Sequence, residues 1–181
     1  MIRPRLKRQT PRDRSARSGS SAVEFALVGL PFFFMLFAIM EIGLIFVTDS
    51  ILDNATVNTG RLVRTGQAAG AGMTGAQFKT ELCSRMSIFS GDCEGRATVD
   101  VRTLPQFRNA TPPDPLANGT NFDASGLTYV SGQPGDLMLV RVWYEQPLIT
   151  PFLAQAISQL DDGNTMLMAT TAFRNEPFTA P

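Results

Sequence analysis

Histidine is missing from all 181 residues of the chain. Without an imidazole there is no Ser-His dyad, no Cys-His pair and no histidine-bearing metal site. A GxxxxGK loop, the usual phosphate cradle of a nucleotide-binding domain, is missing as well. Asp161-Asp162-Gly163-Asn164 clusters oxygen ligands, but the further spacing and the closing glutamate of a calcium loop are lacking, so a tight turn is the simpler reading. The inventory therefore disfavours an enzyme, and it points to no catalytic residues, metal site or cofactor. Internal repeats are lacking too, and no small-residue cleavage site follows the long apolar run, as it would after an ordinary secretory signal. Cysteine is scarce, limited to Cys83 and Cys93.

What is present is unevenly distributed. The formal net charge is zero, yet residues 1–19 carry seven basic side chains (Arg3, Arg5, Lys7, Arg8, Arg12, Arg14 and Arg17) against Asp13 alone. Residues 20–181 hold nine basic and fifteen acidic groups, a net of −6. Between these parts lies an apolar run, residues 25–47, interrupted only by Glu41. Twenty-three helical residues span roughly 35 Å, enough for a hydrocarbon core of about 30 Å. The positive-inside rule puts the basic tail in the cytoplasm and residues 48–181 on the far side, which makes a single-pass protein. A short basic tail ahead of such a helix reads as a topology signal rather than a nucleic-acid site.

The periodicity predicts an α+β fold: one long N-terminal helix, transmembrane and then amphipathic, packed on a small antiparallel sheet. The Arg-, Pro- and Ser-rich residues 1–19 read as disordered. The helix is expected from near Ser20 to Thr65 or Gly66, with Ile45, Leu52, Ala55, Leu62 and Val63 on one side and Asp49, Asp53, Asn54, Asn58, Arg61 and Arg64 on the other. Pro31 removes one amide from it, so a kink or an unwound turn is expected at 27–31. Residues 67–181 form the far-side domain. A short helix is predicted around 75–87, a strand at 97–104, an irregular excursion over 105–135 with a short strand at 127–130, a strand at 136–146, a helix from Pro151 to about Leu160, and a last strand at 164–174. Trp143 and Tyr144 read as core and sheet surface.

Two carboxylates sit where carboxylates are costly. An unpaired Glu24, one turn into the apolar helix, costs on the order of 2–3 kcal/mol, so it needs a charge partner or must reach the headgroups. Glu41 lies two turns from the outer end of the run; it either marks the exit from lipid or makes an intersubunit or intramembrane polar contact. Cys83 and Cys93, with Gly91 between them, could close a small loop in an oxidising compartment, or be two unrelated buried thiols.

The segment Gly19-Ser20-Ser-Ala-Val-Glu24-Phe25 before an apolar run resembles the processing site of type IV pilin-like proteins, and more narrowly the TadE-like pseudopilins of the tight-adherence (Flp) pilus system. Glu41-Ile-Gly43 resembles that family's E-x-G, and Phe173-Arg174-Asn175-Glu176-Pro177-Phe178 its closing R-N-E-P. The resemblance implies cleavage by an inner-membrane prepilin peptidase between Gly19 and Ser20, which would make Glu24 the fifth mature residue and Phe25 the sixth. It implies a minor pilin-like subunit in the bacterial inner membrane, N-terminus cytoplasmic and C-terminal domain periplasmic. The implied partners are other pilin or pseudopilin subunits and the assembly platform. Glu24 would then pair with the Ser20 amine of its own or a neighbouring subunit. The alternative is an uncleaved single-pass protein whose far-side domain binds a ligand or a wall component, with the 105–135 excursion as its recognition surface.

Overall fold

A computed structural model describes residues 14–108, 110–117 and 119–179, with backbone alone for 14–18. The expected disorder of the basic tail falls, over residues 1–13, outside the described residues. Helix α1 runs unbroken from Arg14 to Arg64, followed by α2 (Gln67–Gly70), α3 (Gly75–Ser84), α4 (Ser90–Arg96), β1 (Ala97–Leu104), β2 (Leu137–Gln146), α5 (Pro151–Ile157) and β3 (Thr165–Arg174). The chain divides between Ile39 and Met40 into two units.

The first unit is helical and apolar. Phe25, Leu27, Val28, Phe32 and Met35 stand exposed on α1, and Phe33 stacks on Phe37 with ring centroids 6.5 Å apart. The helix is long and apolar enough to cross a membrane by length and composition. Two expectations are corrected here. The helix already includes Arg14, ahead of Ser20, because the residues from Arg14 to Gly19 contain no proline and only one glycine to break it. And of the two outcomes expected at Pro31, the unwound turn does not occur: α1 keeps its helical assignment through residues 27–31.

The second unit takes in the rest of α1 and is the expected α+β fold, a helix on a three-stranded antiparallel sheet of order β1-β2-β3. Its register pairs Val99 with Val142 and Val101 with Val140, and continues across β2 to Ala169 and Thr171. That side of the sheet carries the core with Met138 and Tyr144, all closed by Leu52, Ala55 and Val63 of α1. Strands with side chains of period two and a helix with buried residues at spacings of three and four meet along one seam. The seam is tighter than the apolar pattern suggests. Thr48 and Thr59 are fully buried on it, each hydroxyl donating to the carbonyl four residues back (Leu44 at 2.9 Å, Ala55 at 2.8 Å). At Gly60 a Cβ would come within 3.2 Å of the Thr171 methyl, so glycine lets helix and β3 approach.

The helix ends at Arg64, close to the expected Thr65 or Gly66: Gly66 is left-handed, with φ 77°, and the Phe178 ring fills the space a side chain would need. Helix α3 is capped by Thr74, whose hydroxyl accepts from the Gln77 amide while the Gln77 carboxamide accepts from the Thr74 amide. It stops at Ser84, shorter than expected, and a 3-10 turn at Ser87–Phe89 leads into α4. A disulfide joins Cys83 of α3 to Cys93 of α4, with Cα atoms 5.4 Å apart and both residues buried. Residues 127–130 form a single parallel bridge, Val101 to Tyr129, rather than a strand, since only the Val101 amide and carbonyl are met. Helix α5 ends at Ile157, three residues early, because Ser158 is already extended.

Cross-linking a loop this short restricts the unfolded chain by about 2–3 kcal/mol. Replacing both cysteines by alanine lowers the urea midpoint accordingly, read from Trp143, the single tryptophan. Reductant lowers the midpoint of the parent chain and leaves the variant's unchanged.

Candidate processing and assembly site

The Gly19–Ser20 bond lies within α1 and is exposed on both sides. The Ser20 hydroxyl donates to Glu24 Oε1 at 3.3 Å, one helical turn on, so the carboxylate leans toward the Ser20 end of the helix. A Cβ at Gly19 would meet nothing within 4 Å. Phe25 projects into open space and lays its ring edge beside Gly29, 3.6 Å from where a Cβ would stand there. Gly19, Ser20, Glu24 and Phe25 thus sit together on one accessible stretch of helix.

Glu41 behaves differently. It is 8% exposed, and its carboxylate accepts backbone hydrogen bonds from the amides of Ile149 and Thr150, the latter at 2.9 Å. These amides precede α5, whose N-cap, Thr150, makes no capping bond with its own side chain, and whose first residue, Pro151, has no amide to offer. The partner of Glu41 is therefore the turn that follows β2. Two amide donors to one carboxylate are charge-assisted bonds, stronger than neutral ones. Periodicity cannot find a contact this distant in sequence. The only signal was a lone acid in an apolar run.

A second buried carboxylate organises the other face of the sheet. Asp100, fully buried, accepts from Arg102 Nη2 at 2.6 Å and Nε at 2.8 Å, from Arg141 Nη2 at 2.8 Å, and from the Thr128 amide at 2.9 Å. Burial pushes its carboxyl up, but the Arg102 guanidinium, the Thr128 amide and Arg141 outweigh this and hold it below the usual carboxylate range. Arg141 in turn lies 4.7 Å from the centre of the Trp143 ring, and Phe122 packs edge-on to that ring at 5.9 Å. Trp143 is therefore buried beneath the 105–135 excursion, and Tyr144, expected at the sheet surface, instead faces the core. Arg141, breaking the run Leu-Met-Leu-Val-Arg-Val-Trp, was the overlooked signal in the sequence.

The closing residues act as a fastener. Arg174 Nε donates to the Gly135 carbonyl at 2.8 Å, Asn175 Nδ2 to that of Gln133 at 3.1 Å, and the Glu176 amide to that of Arg64 at 2.9 Å. The Arg64 and Glu176 side chains pair at 3.1 Å, half-exposed, where such pairs are worth at most about 1 kcal/mol. The acidic turn is occupied internally: Asp162 accepts from the amide and carboxamide of Asn164, and Asp161 from Thr120. Among the described residues no group of three metal-binding side chains occurs.

Residues 19–61 match the TadE-like protein family. The match begins at the glycine of the processing motif, takes in Glu24, Phe25 and Glu41, and stops before the sheet. The resemblance read from the N-terminal motifs is thus shown over that segment, while the R-N-E-P ending lies outside it. No curated protein and no solved structure matches the chain.

Removing one member of the Asp100 cluster leaves charge stranded. Asp100→Ala is expected to cost about 3–5 kcal/mol, because Arg141 remains buried without its counter-ion. The depressed carboxyl also sets a sign. Its stabilising contribution is fully present above the unfolded value of 3.8 and is lost as pH falls through the lower folded value. Urea unfolding between neutral pH and pH 2 shows a loss in the parent chain that is reduced in Asp100→Asn. At the other carboxylate, Glu41→Ala leaves two amides without their acceptor at about 1–3 kcal/mol, and limited proteolysis then cuts within 147–158 faster than in the parent.

Proposed function

We propose that the chain is a minor pilin-like subunit of a tight-adherence pilus, held in the bacterial inner membrane by α1 and cut between Gly19 and Ser20 by a prepilin peptidase. The basic tail stays in the cytoplasm and the sheet unit faces the periplasm. Its partners are other pilin or pseudopilin subunits and the assembly platform. The observation that carries this reading is the family match starting at Gly19 itself, on a helix that continues without a break into the core of the sheet unit.

The local chemistry supports a cut at this bond. A peptidase needs an extended substrate, and here the bond is helical, so a turn must open first. Glycine is about 1 kcal/mol less favourable than alanine inside a helix, which lowers the cost of opening at position 19. After the cut, the hydroxyl now facing Glu24 belongs to the first residue, and the new amine stands one turn from the carboxylate. An ammonium is a far better partner for a carboxylate near lipid than a hydroxyl is. In a bundle of such helices, a Glu24 without its own amine is drawn to that of a neighbour, which sets the axial stagger between subunits.

The test is the intact mass and N-terminal sequence of the protein from native membranes, with and without the peptidase. A chain starting at Ser20 only when the peptidase is present supports the proposal; a chain starting at Met1 in both moves it to the uncleaved, ligand- or wall-binding class. Gly19→Ala inserts normally, since a methyl meets nothing there, but is cut roughly 10- to 200-fold more slowly, the range one methyl commands in a fitted pocket. Glu24→Val is cut normally and fails to enter assemblies with its partners.

A further inference from the structure

The bond between Glu41 and the turn after β2 fixes more than a loop. The apolar run ends at Val47, six residues beyond Glu41. At 1.5 Å per residue, Glu41 therefore lies about 9 Å inside the outer end of that run. Since its carboxylate holds the amides of Ile149 and Thr150, the turn is held at the same depth. The side chains there suit that position. Ile149 is 82% exposed and Phe152 71% exposed, and at the same level of α1 Ile42, Leu44 and Phe46 are exposed apolar residues too. From Gln146 to Leu160 there are fifteen residues without one charged side chain. Leu153 and Leu160 turn inward to anchor the segment, while Ile149 and Phe152 face out.

We propose that this segment is a membrane-dipping element: Glu41 clamps residues 149–152 into the interfacial layer of the bilayer that α1 crosses, on the sheet unit's side. Aromatic and branched apolar side chains on a short uncharged helix, beside a spanning helix, favour the boundary between headgroups and acyl chains. The clamp also gives Glu41 a place in lipid terms. The residues ahead of it, 22–40, number nineteen and are uncharged save Glu24. They cover about 28 Å, close to a hydrocarbon core. Glu41 then stands at the outer boundary of that core, residues 42–47 of the apolar run cross the interfacial layer beyond it, and its charge is met by the amides of Ile149 and Thr150. The sheet unit is thereby held down on the membrane while the subunit waits there, by a contact that must leave lipid if the subunit is extracted.

This inference rests on α1 spanning the membrane, and the experiment separates the two. Single cysteines for nitroxide labelling are placed at Ile149, Phe152, Phe32 and Val57 of the full chain, with the native disulfide intact, in mixed phosphatidylethanolamine and phosphatidylglycerol vesicles. All four positions are exposed, so labels there leave the fold unchanged. Collision with oxygen, which concentrates in lipid, is compared with collision with a water-soluble nickel chelate. The expected ratio at 149 and 152 is several-fold above that at Val57, which sits sixteen residues past Glu41 on the same helix, and approaches that at Phe32. In Glu41→Ala it falls toward the Val57 value. A low ratio at 149 and 152 with a high one at Phe32 overturns the proposal and leaves the spanning helix standing. A low ratio at Phe32 as well overturns both. Labels at 149 and 152 shielded from both reagents mean contact with another protein copy, and a ratio unchanged in Glu41→Ala means that the clamp does not hold the depth; either overturns it.

Discussion

A three-stranded sheet has two faces, and neither strand count nor loop length lets these strands cover both by folding on themselves. The cover on one face is the C-terminal half of α1, and the core cluster exists only because Leu52, Ala55 and Val63 lie across Val140, Val142 and Ala169. The same helix carries the apolar run upstream. One continuous backbone therefore serves two environments, and its side chains change character along its length: exposed phenylalanines before Met40, a narrow buried stripe with threonines and a glycine after it. Small residues on that stripe matter as much as large ones, because the helix must come close enough to β3 to exclude water.

The second face is covered by something less regular. The 105–135 excursion has little secondary structure, so its backbone groups and side chains need fixed partners elsewhere. Asp100 provides them. A carboxylate buried this deeply is tolerable only with full hydrogen bonding, and it takes two guanidiniums and the amide of Thr128, which lies in the excursion itself. The network binds strand to strand and loop to sheet at once. Glu41 solves a similar problem with the amides of Ile149 and Thr150, and it joins helix to loop. Both acids work by the same rule: burial makes an unpaired charge expensive, so the fold that pairs it is strongly preferred over alternatives that do not.

The elements themselves were legible. Period-two alternation located β1, the stretches 136–146 and 164–174 located β2 and β3 within a residue, Pro151 located the start of α5, and Gly66 the end of α1. These are local signals, set by neighbouring residues in the chain. The errors were local too: a helix that begins ahead of Ser20 and keeps its turns at 27–31, and a bridge at Tyr129 in place of a strand. The expected segregation of Asp49, Asp53, Asn54 and Arg61 away from the packed face also follows from periodicity alone.

Sequence alone determined the asymmetry of the chain: a basic tail, a spanning-length apolar run, a processing-like motif at Gly19 to Phe25, and a sheet-forming remainder without histidine. Those properties follow from composition and spacing, which depend only on neighbours in the chain. What tertiary structure decided was the partner of each costly group. Glu41 meets a turn more than a hundred residues away, Asp100 meets Arg141 across a strand pair, and Asn175 meets the loop before β2. A hydrogen bond or ion pair depends on angstrom distances between groups, and only the packed chain sets those distances; a buried charge announces that it needs a partner, and the fold alone says which one it has.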